Sequence, residues 1–134
     1  MTPTPQSPQD LAAGLREVGY LPGESTALIS YLATKLGKPV LVEGPAGVGK
    51  TELAKALSRY LERRLVRLQC YEGLDEAKAL YEWNYRKQLL RIQTESGEAG
   101  WQDVQEDIFG EEFLLERPLM TAIASADPVV LLID

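Results

Sequence analysis

Between Leu41 and Thr51 the chain reads LVEGPAGVGKT, and its last six residues are VLLID preceded by Val129. Gly44, Gly49, Lys50 and Thr51 satisfy G-x-x-x-x-G-K-[ST], a spacing whose chemistry is the cradling of phosphate. Gly44 lets the chain turn sharply. Gly47 and Gly49 let backbone N–H groups close around phosphate oxygens with no side chain in the way. Pro45, Ala46 and Val48 complete the loop, and the helix that follows points its positive end at the anion. Lys50 is placed to reach the β- and γ-phosphates as a point charge, and the Thr51 hydroxyl to ligate Mg²⁺. A chance match in a chain this long is a roughly one-in-two-hundred event. The competing reading is a glycine-rich turn that binds nothing. Against it, an apolar stretch precedes the loop and an amphipathic one follows, as the motif requires.

The second chemical element is the acid that ends VVLLID. Phosphate-binding loops of this kind work with an acid at the end of a neighbouring strand, which holds Mg²⁺, usually through water. Asp134 is the candidate for that acid. Lys50 and Asp134 are therefore the candidate catalytic groups, and Thr51 and Asp134 the candidate metal ligands.

These residues need a scaffold, and the hydrophobic pattern supplies one. A short helix is predicted from about Asp10, with Asp10 as its N-cap and Gly19 as its stop. Leu28, Leu32 and Leu36 recur at helical spacing, with Gly37 where a C-terminal cap belongs. Pro39 to Glu43 reads as a short buried strand leading into the loop. From Gly49 to Arg63, Leu53, Leu57 and Leu61 again mark a helix, and Leu65 to Cys70 returns to a strand. LDEAKALYEWNYRKQLLRIQ reads as one helix of about five turns, acidic at its start and basic at its end, as the helix dipole favours. Glu95 to Glu116 holds eight acidic residues and no basic one, and most of it, about 95–112, reads as an exposed acidic loop. A helix resumes near Phe113 or Pro118 and runs to about Ser125, before the terminal apolar strand. Apolar strands separated by helices imply a parallel sheet covered on both faces, an α/β fold. Residues 1–9 read as a disordered lead.

Composition narrows the chemistry. A chain of 134 residues with 45% apolar and 25% charged residues fits one ordinary globular domain. The net charge of −6 argues against general affinity for nucleic acid or anionic membrane. The basic run Lys55 to Arg67, with Arg59, Arg63 and Arg64, reads as a solvated helix face. There is no histidine, so any metal must be held by oxygens. Cys70 is the only cysteine, which excludes a disulfide framework and makes a reducing cytoplasm the default. No apolar run approaches the length of a membrane span, and the N-terminus lacks the pattern of a secretory signal.

KPVLVEGPAGVGKTELAKALSRYL and VVLLID together resemble the Walker A and Walker B segments of AAA+ ATPases. EGPAGVGKT, with the later FLLERPLMTAIASADPVVLLID, resembles the MoxR type, and LQCYEGLDEAKALYEWNYRKQLLRIQ resembles its CoxD-like branch. The likeness covers about Leu11 to Asp134. It implies a P-loop NTPase sheet of AAA+ type and places residues 10–134 in the N-terminal part of an ATP-binding domain. It further implies hydrolysis of ATP with Mg²⁺ in a homo-oligomeric ring, commonly a hexamer. Such rings remodel or mature a partner complex, often with a von Willebrand factor A domain protein. For the CoxD-like branch the implied task is assembly of a metal centre in an oxidoreductase. Tyr20 and Leu21 fall where the family's adenine-binding segment would lie, with ordinary turn and core roles as the alternative. Trp83 and Tyr85 could belong to a substrate-handling element near a ring pore, or simply to the core.

The departures from the family matter as much. A member would continue LLIDE, with the glutamate polarising the attacking water. The sensor-1 strand, arginine finger, last core strand and helical lid also lie outside this sequence. In the family's sheet the P-loop strand sits between two strands that come later in the chain. The expectation is a C-terminally incomplete domain in which Pro39 to Glu43 lacks both neighbours, at about 1–3 kcal/mol per unpaired buried backbone group. Such a fragment would not hydrolyse ATP efficiently alone. Other readings stay open or fall on residues. A non-hydrolysing regulatory P-loop module is compatible with everything up to Asp134. A small P-loop kinase would need basic lid residues where the chain has acids. A GTPase would need N-K-x-D, which is absent. Residues 103–116 fail as an EF-hand, because Gln105 and Ile108 stand where an Asp or Asn and a Gly are required.

Overall fold

A computed structural model describes residues 3–94 and 108–134 of the chain. It divides into two compact units, Met1–Gln69 with Ser125–Asp134, and Cys70–Ala124.

The first unit opens with helix α1, Pro8–Glu17. Its N-cap is Ser7, whose Oγ accepts the Asp10 N–H at 3.1 Å, with proline at the first helical position. Asp10 is therefore not the cap. It sits in the first turn and accepts the Gln6 N–H at 2.9 Å, a reciprocal arrangement close to a capping box. Pro8 and Gln9, expected within a disordered lead, belong to this helix. Pro5 is fully buried, and the Tyr31 hydroxyl donates to the Gln6 carbonyl at 3.0 Å.

Helix α2, Glu24–Leu36, ends on Gly37 in the left-handed conformation at φ 62°, which a residue with a Cβ adopts only at a cost. Its leucine stripe does not face a core: Leu28, Leu32 and Leu36 are exposed, while Ala27 and Ser30 are buried. Helix α3, Lys50–Tyr60, does bury its stripe. Leu53 and Ala56 pack against Leu11 and Leu15 of α1, with Val18, Tyr20, Tyr31, Leu57 and Tyr60 around them. The contact is close enough that a Cβ on Gly14 would stand 1.9 Å from Tyr60 Cε2.

Strands β1, Leu65–Leu68, and β4, Val130–Ile133, form a parallel pair, with Leu65 opposite Val130 and Leu68 opposite Ile133. Helix α3 packs against both, and Val66 and Leu68 are buried. This is the parallel α/β arrangement expected. Pro39 to Glu43, however, is not a buried strand. Among the described residues it pairs with nothing, and Leu41 is 85% exposed. The ladder formed by β4 runs to β1, so this segment has apolar residues of strand type but no backbone partner to fix it.

The second unit corrects the single long helix. Helix α4, Glu76–Leu80, is capped by Asp75, whose carboxylate accepts the Lys78 N–H at 2.8 Å. It stops at strand β2, Tyr81–Trp83, and helix α5, Tyr85–Thr94, restarts after it. The break has two causes. Tyr81–Trp83 pairs antiparallel with β3, Leu114–Glu116, and Asn84 caps α5 by accepting the Lys87 N–H at 3.1 Å. A 3₁₀ turn, Glu111–Phe113, precedes β3 and buries Phe113, so no helix begins there. Helix α6, Pro118–Ala124, then packs on α4. Most of the acidic stretch expected as a loop, residues 95–107, lies outside the described residues. Ile108 is buried, its carbonyl accepting from Gln88 Nε2 at 2.6 Å.

Candidate functional site

The loop 45–49 turns between the exposed segment 38–44 and α3. Gly47 at φ 83° and Gly49 at φ 96° occupy conformations that side-chain-bearing residues avoid. Nothing lies within 4 Å of the position a Gly47 Cβ would take, so the loop is open on that side. Gly49 is the N-cap of α3 and provides no side-chain acceptor. The first-turn N–H groups of the helix are thus left for an anion rather than consumed by a cap.

Lys50 stands at the start of α3. Its Nζ donates to the Gly44 carbonyl and, at 3.0 Å, to the Pro45 carbonyl. The ammonium is folded over its own loop, and an incoming phosphate would take over those donors. One turn into the helix, a hydrogen bond from Lys55 holds the Glu52 carboxyl below the usual carboxylate range, with the charges of Lys55 and Arg59 adding to the effect. At the far end of α3, burial pushes the Tyr60 hydroxyl up, helped by the negative charges of Asp10 and Glu17.

Lys50, Thr51 and Asp134 line one cavity of about 530 Å³, walled by Val40, Val42, Leu53 and Leu132. Its size falls in the range of small-ligand pockets. Asp134 is held at the end of the parallel pair. Its N–H donates to the Leu68 carbonyl at 3.0 Å, and its Oδ2 accepts from Arg67 Nη2. Arg67 was not singled out by sequence; it was read as part of a solvated basic face. The signal that finds it is the register of β1 against β4.

Of the two residues expected near adenine, Tyr20 lies beside the loop, its Cε2 3.7 Å from the position of a Gly49 Cβ. Leu21 is 83% exposed, and neither residue lines the cavity. Trp83 and Tyr85 line a second cavity of about 570 Å³ within the second unit, together with Tyr71, Tyr81 and the Glu82–Arg117 ion pair at 3.3 Å. Trp83 also meets Phe109 edge-on at 5.3 Å between ring centroids.

The donors present suit magnesium bound with a nucleotide. Thr51 and Asp134 offer hard oxygens, and Mg²⁺ commonly takes only one or two protein oxygens beside phosphate and water. No group of three or more acidic, histidine or cysteine side chains that could hold a metal occurs among the described residues. A self-sufficient protein cage is thus not what these residues build, and the open glycine loop leaves room for phosphates to complete the set.

Loop, helix and parallel strands together define a P-loop α/β domain. Residues 39–108, just over half of the chain, match the AAA domain, dynein-related subfamily. The chain belongs to that family, and so to the AAA+ class of P-loop ATPases. It is similar to the uncharacterized protein YojN of Bacillus subtilis, 36% identical over 76 residues, which is 57% of this chain and 23% of that protein. It is also similar to the Lon protease of Heliobacterium modesticaldum, 47% identical over 51 residues, which is 37% of this chain and 6% of the protease. The matched regions thus span less than a quarter of either relative. No solved structure matches the chain significantly. No helix among the described residues is long and apolar enough to cross a membrane.

Proposed function

We propose that this chain binds ATP with Mg²⁺ as part of a MoxR-type AAA+ ATPase of the CoxD-like branch. In a ring of copies, hydrolysis would remodel or mature a partner complex, with metal-centre assembly in an oxidoreductase as the task the resemblance points to. A von Willebrand factor A domain protein is the proposed recruiting partner, and the cytoplasm the proposed compartment. The observation that carries the binding role is the single cavity onto which Lys50, Thr51 and Asp134 all open. Lys50 would neutralise β- and γ-phosphate charge, and the uncapped turn of α3 would donate N–H groups to them. Thr51 and Asp134 would hold the magnesium, which when bound screens the charge developing on the phosphates. Tyr20, beside Gly49, would contact the base or sugar; exposed Leu21 would reach it only by rearranging.

Titration of a fluorescent ATP analogue with Mg²⁺ tests this. Lys50→Ala is expected to weaken affinity by at least tenfold, in keeping with the loss of a charge-assisted contact of about 1.5–3 kcal/mol. Equal affinities would remove the phosphate-cradle assignment. Tight binding with no turnover by assembled rings would favour the non-hydrolysing regulatory module instead.

A further inference from the structure

Arg67 is absorbed by none of the roles above, yet it is the side chain that touches the proposed metal ligand. The contact follows from backbone register. Arg67 lies opposite Leu132 in the parallel ladder, and Asp134 is two residues beyond Leu132. Opposed residues share a face of a sheet, as do residues two apart along a strand, so Arg67 and Asp134 emerge on the same side. The ladder continues past β4 through the Asp134 N–H to the Leu68 carbonyl at 3.0 Å, which fixes the backbone of the acid. The guanidinium then engages one carboxylate oxygen, Oδ2, through one nitrogen, Nη2. The contact is a single hydrogen bond rather than the stronger two-bond fork that Arg and a carboxylate often form. Both side chains are partly open to solvent, 49% for Arg67 and 37% for Asp134. A pair of this kind is exchangeable, held by little more than an ordinary surface ion pair.

We propose that Arg67 is a positioning residue that acts as the stand-in cation for Asp134, keeping its carboxylate neutralised and oriented until Mg²⁺ arrives with the nucleotide and displaces it. The inference rests on the assignment of Asp134 as the magnesium ligand and adds the regulation of that site. Magnesium must compete with a tethered positive charge. Arg67 therefore sets the Mg²⁺ concentration at which nucleotide binding becomes metal-dependent, with little effect on the phosphate contacts made by Lys50.

The test measures affinity of the full chain for a fluorescent ATP analogue across a Mg²⁺ titration, and reads the Mg²⁺ half-point of the affinity gain. Arg67→Gln is expected to lower that half-point by about two- to fivefold, the range an exposed ion pair supports. Arg67→Lys, which keeps the charge, is expected to stay near the wild-type value. Arg67→Met serves as a second neutral variant should the glutamine form fail to fold. In an Asp134→Asn background the substitution at 67 should move nothing, because the competition has lost its object. A half-point that is unchanged or raised in both neutral variants overturns the proposal, as does an equal shift in the Asp134→Asn background. Failure of the underlying assignment looks different. If Asp134→Asn alone leaves the Mg²⁺ dependence intact, or Lys50→Ala leaves affinity intact, the site itself is wrong, whatever Arg67 does.

Discussion

Gly49 shows how much of the site depends on single backbone conformations. It caps α3 at φ 96° and brings no acceptor of its own to the helix terminus. A Cβ there would meet Tyr20 Cε2 at 3.7 Å, an ordinary contact, so space is not the obstacle. The obstacle is the left-handed conformation, which costs a residue with a side chain about 1–2 kcal/mol. Gly49→Ala is accordingly expected to lower unfolding stability by about that amount in urea melts, and to weaken nucleotide affinity further as the loop shifts. Undiminished stability would mean that the loop relaxes to another conformation. The motif residues were legible because their type is dictated by local geometry, which spacing alone displays. Arg67 was not, because its role depends on which residue a distant strand places beside it.

At the scale of elements, α1 and α3 are fixed by their contact. Gly14 is an ordinary helical position, where alanine would gain up to about 1 kcal/mol of helix propensity. Against this, the new methyl would fall 1.9 Å from Tyr60 Cε2, and overpacking of that kind costs about 1–3 kcal/mol. Packing should win: Gly14→Ala is expected to destabilise the chain in thermal or urea melts, and Gly14→Ala combined with Tyr60→Leu to recover most of the loss. A more stable single variant would show that the ring swings aside freely. Helices α2 and α3 were readable from their punctuation, Gly37 after α2 and the glycine loop before α3, whereas the start of α1 was set two residues late because Asp10, not Ser7, was read as its cap. The exposed leucine stripe of α2 shows that periodicity reports a helix but not what lies against it. The break between α4 and α5 escaped for a related reason. No Gly or Pro interrupts Tyr81–Trp83, and the strand that claims them, Leu114–Glu116, is distant in sequence. Asn84, the cap that restarts the helix, was the one local sign of it.

For the whole molecule, membership of the AAA+ class makes self-assembly the next question, because domains of this class commonly form hexameric rings. Protein carrying this chain is expected to show a nucleotide-dependent rise in mass by light scattering, and Lys50→Ala to suppress it. A strict monomer with and without ATP would count against ring function. The same scale gives the pairing of β1 with β4 a further meaning. Leu65 meets Val130, so this one parallel contact closes a chain loop that contains all of Cys70–Ala124. Closure entropy grows with the length of free chain enclosed, by about 0.6 kcal/mol for each doubling. The pairing of β2 with β3 inside that loop removes part of its length from the free chain that must be closed. Order there is therefore worth something to the β1–β4 pair through chain statistics alone, as a tether whose slack sets how firmly the end of that strand is held.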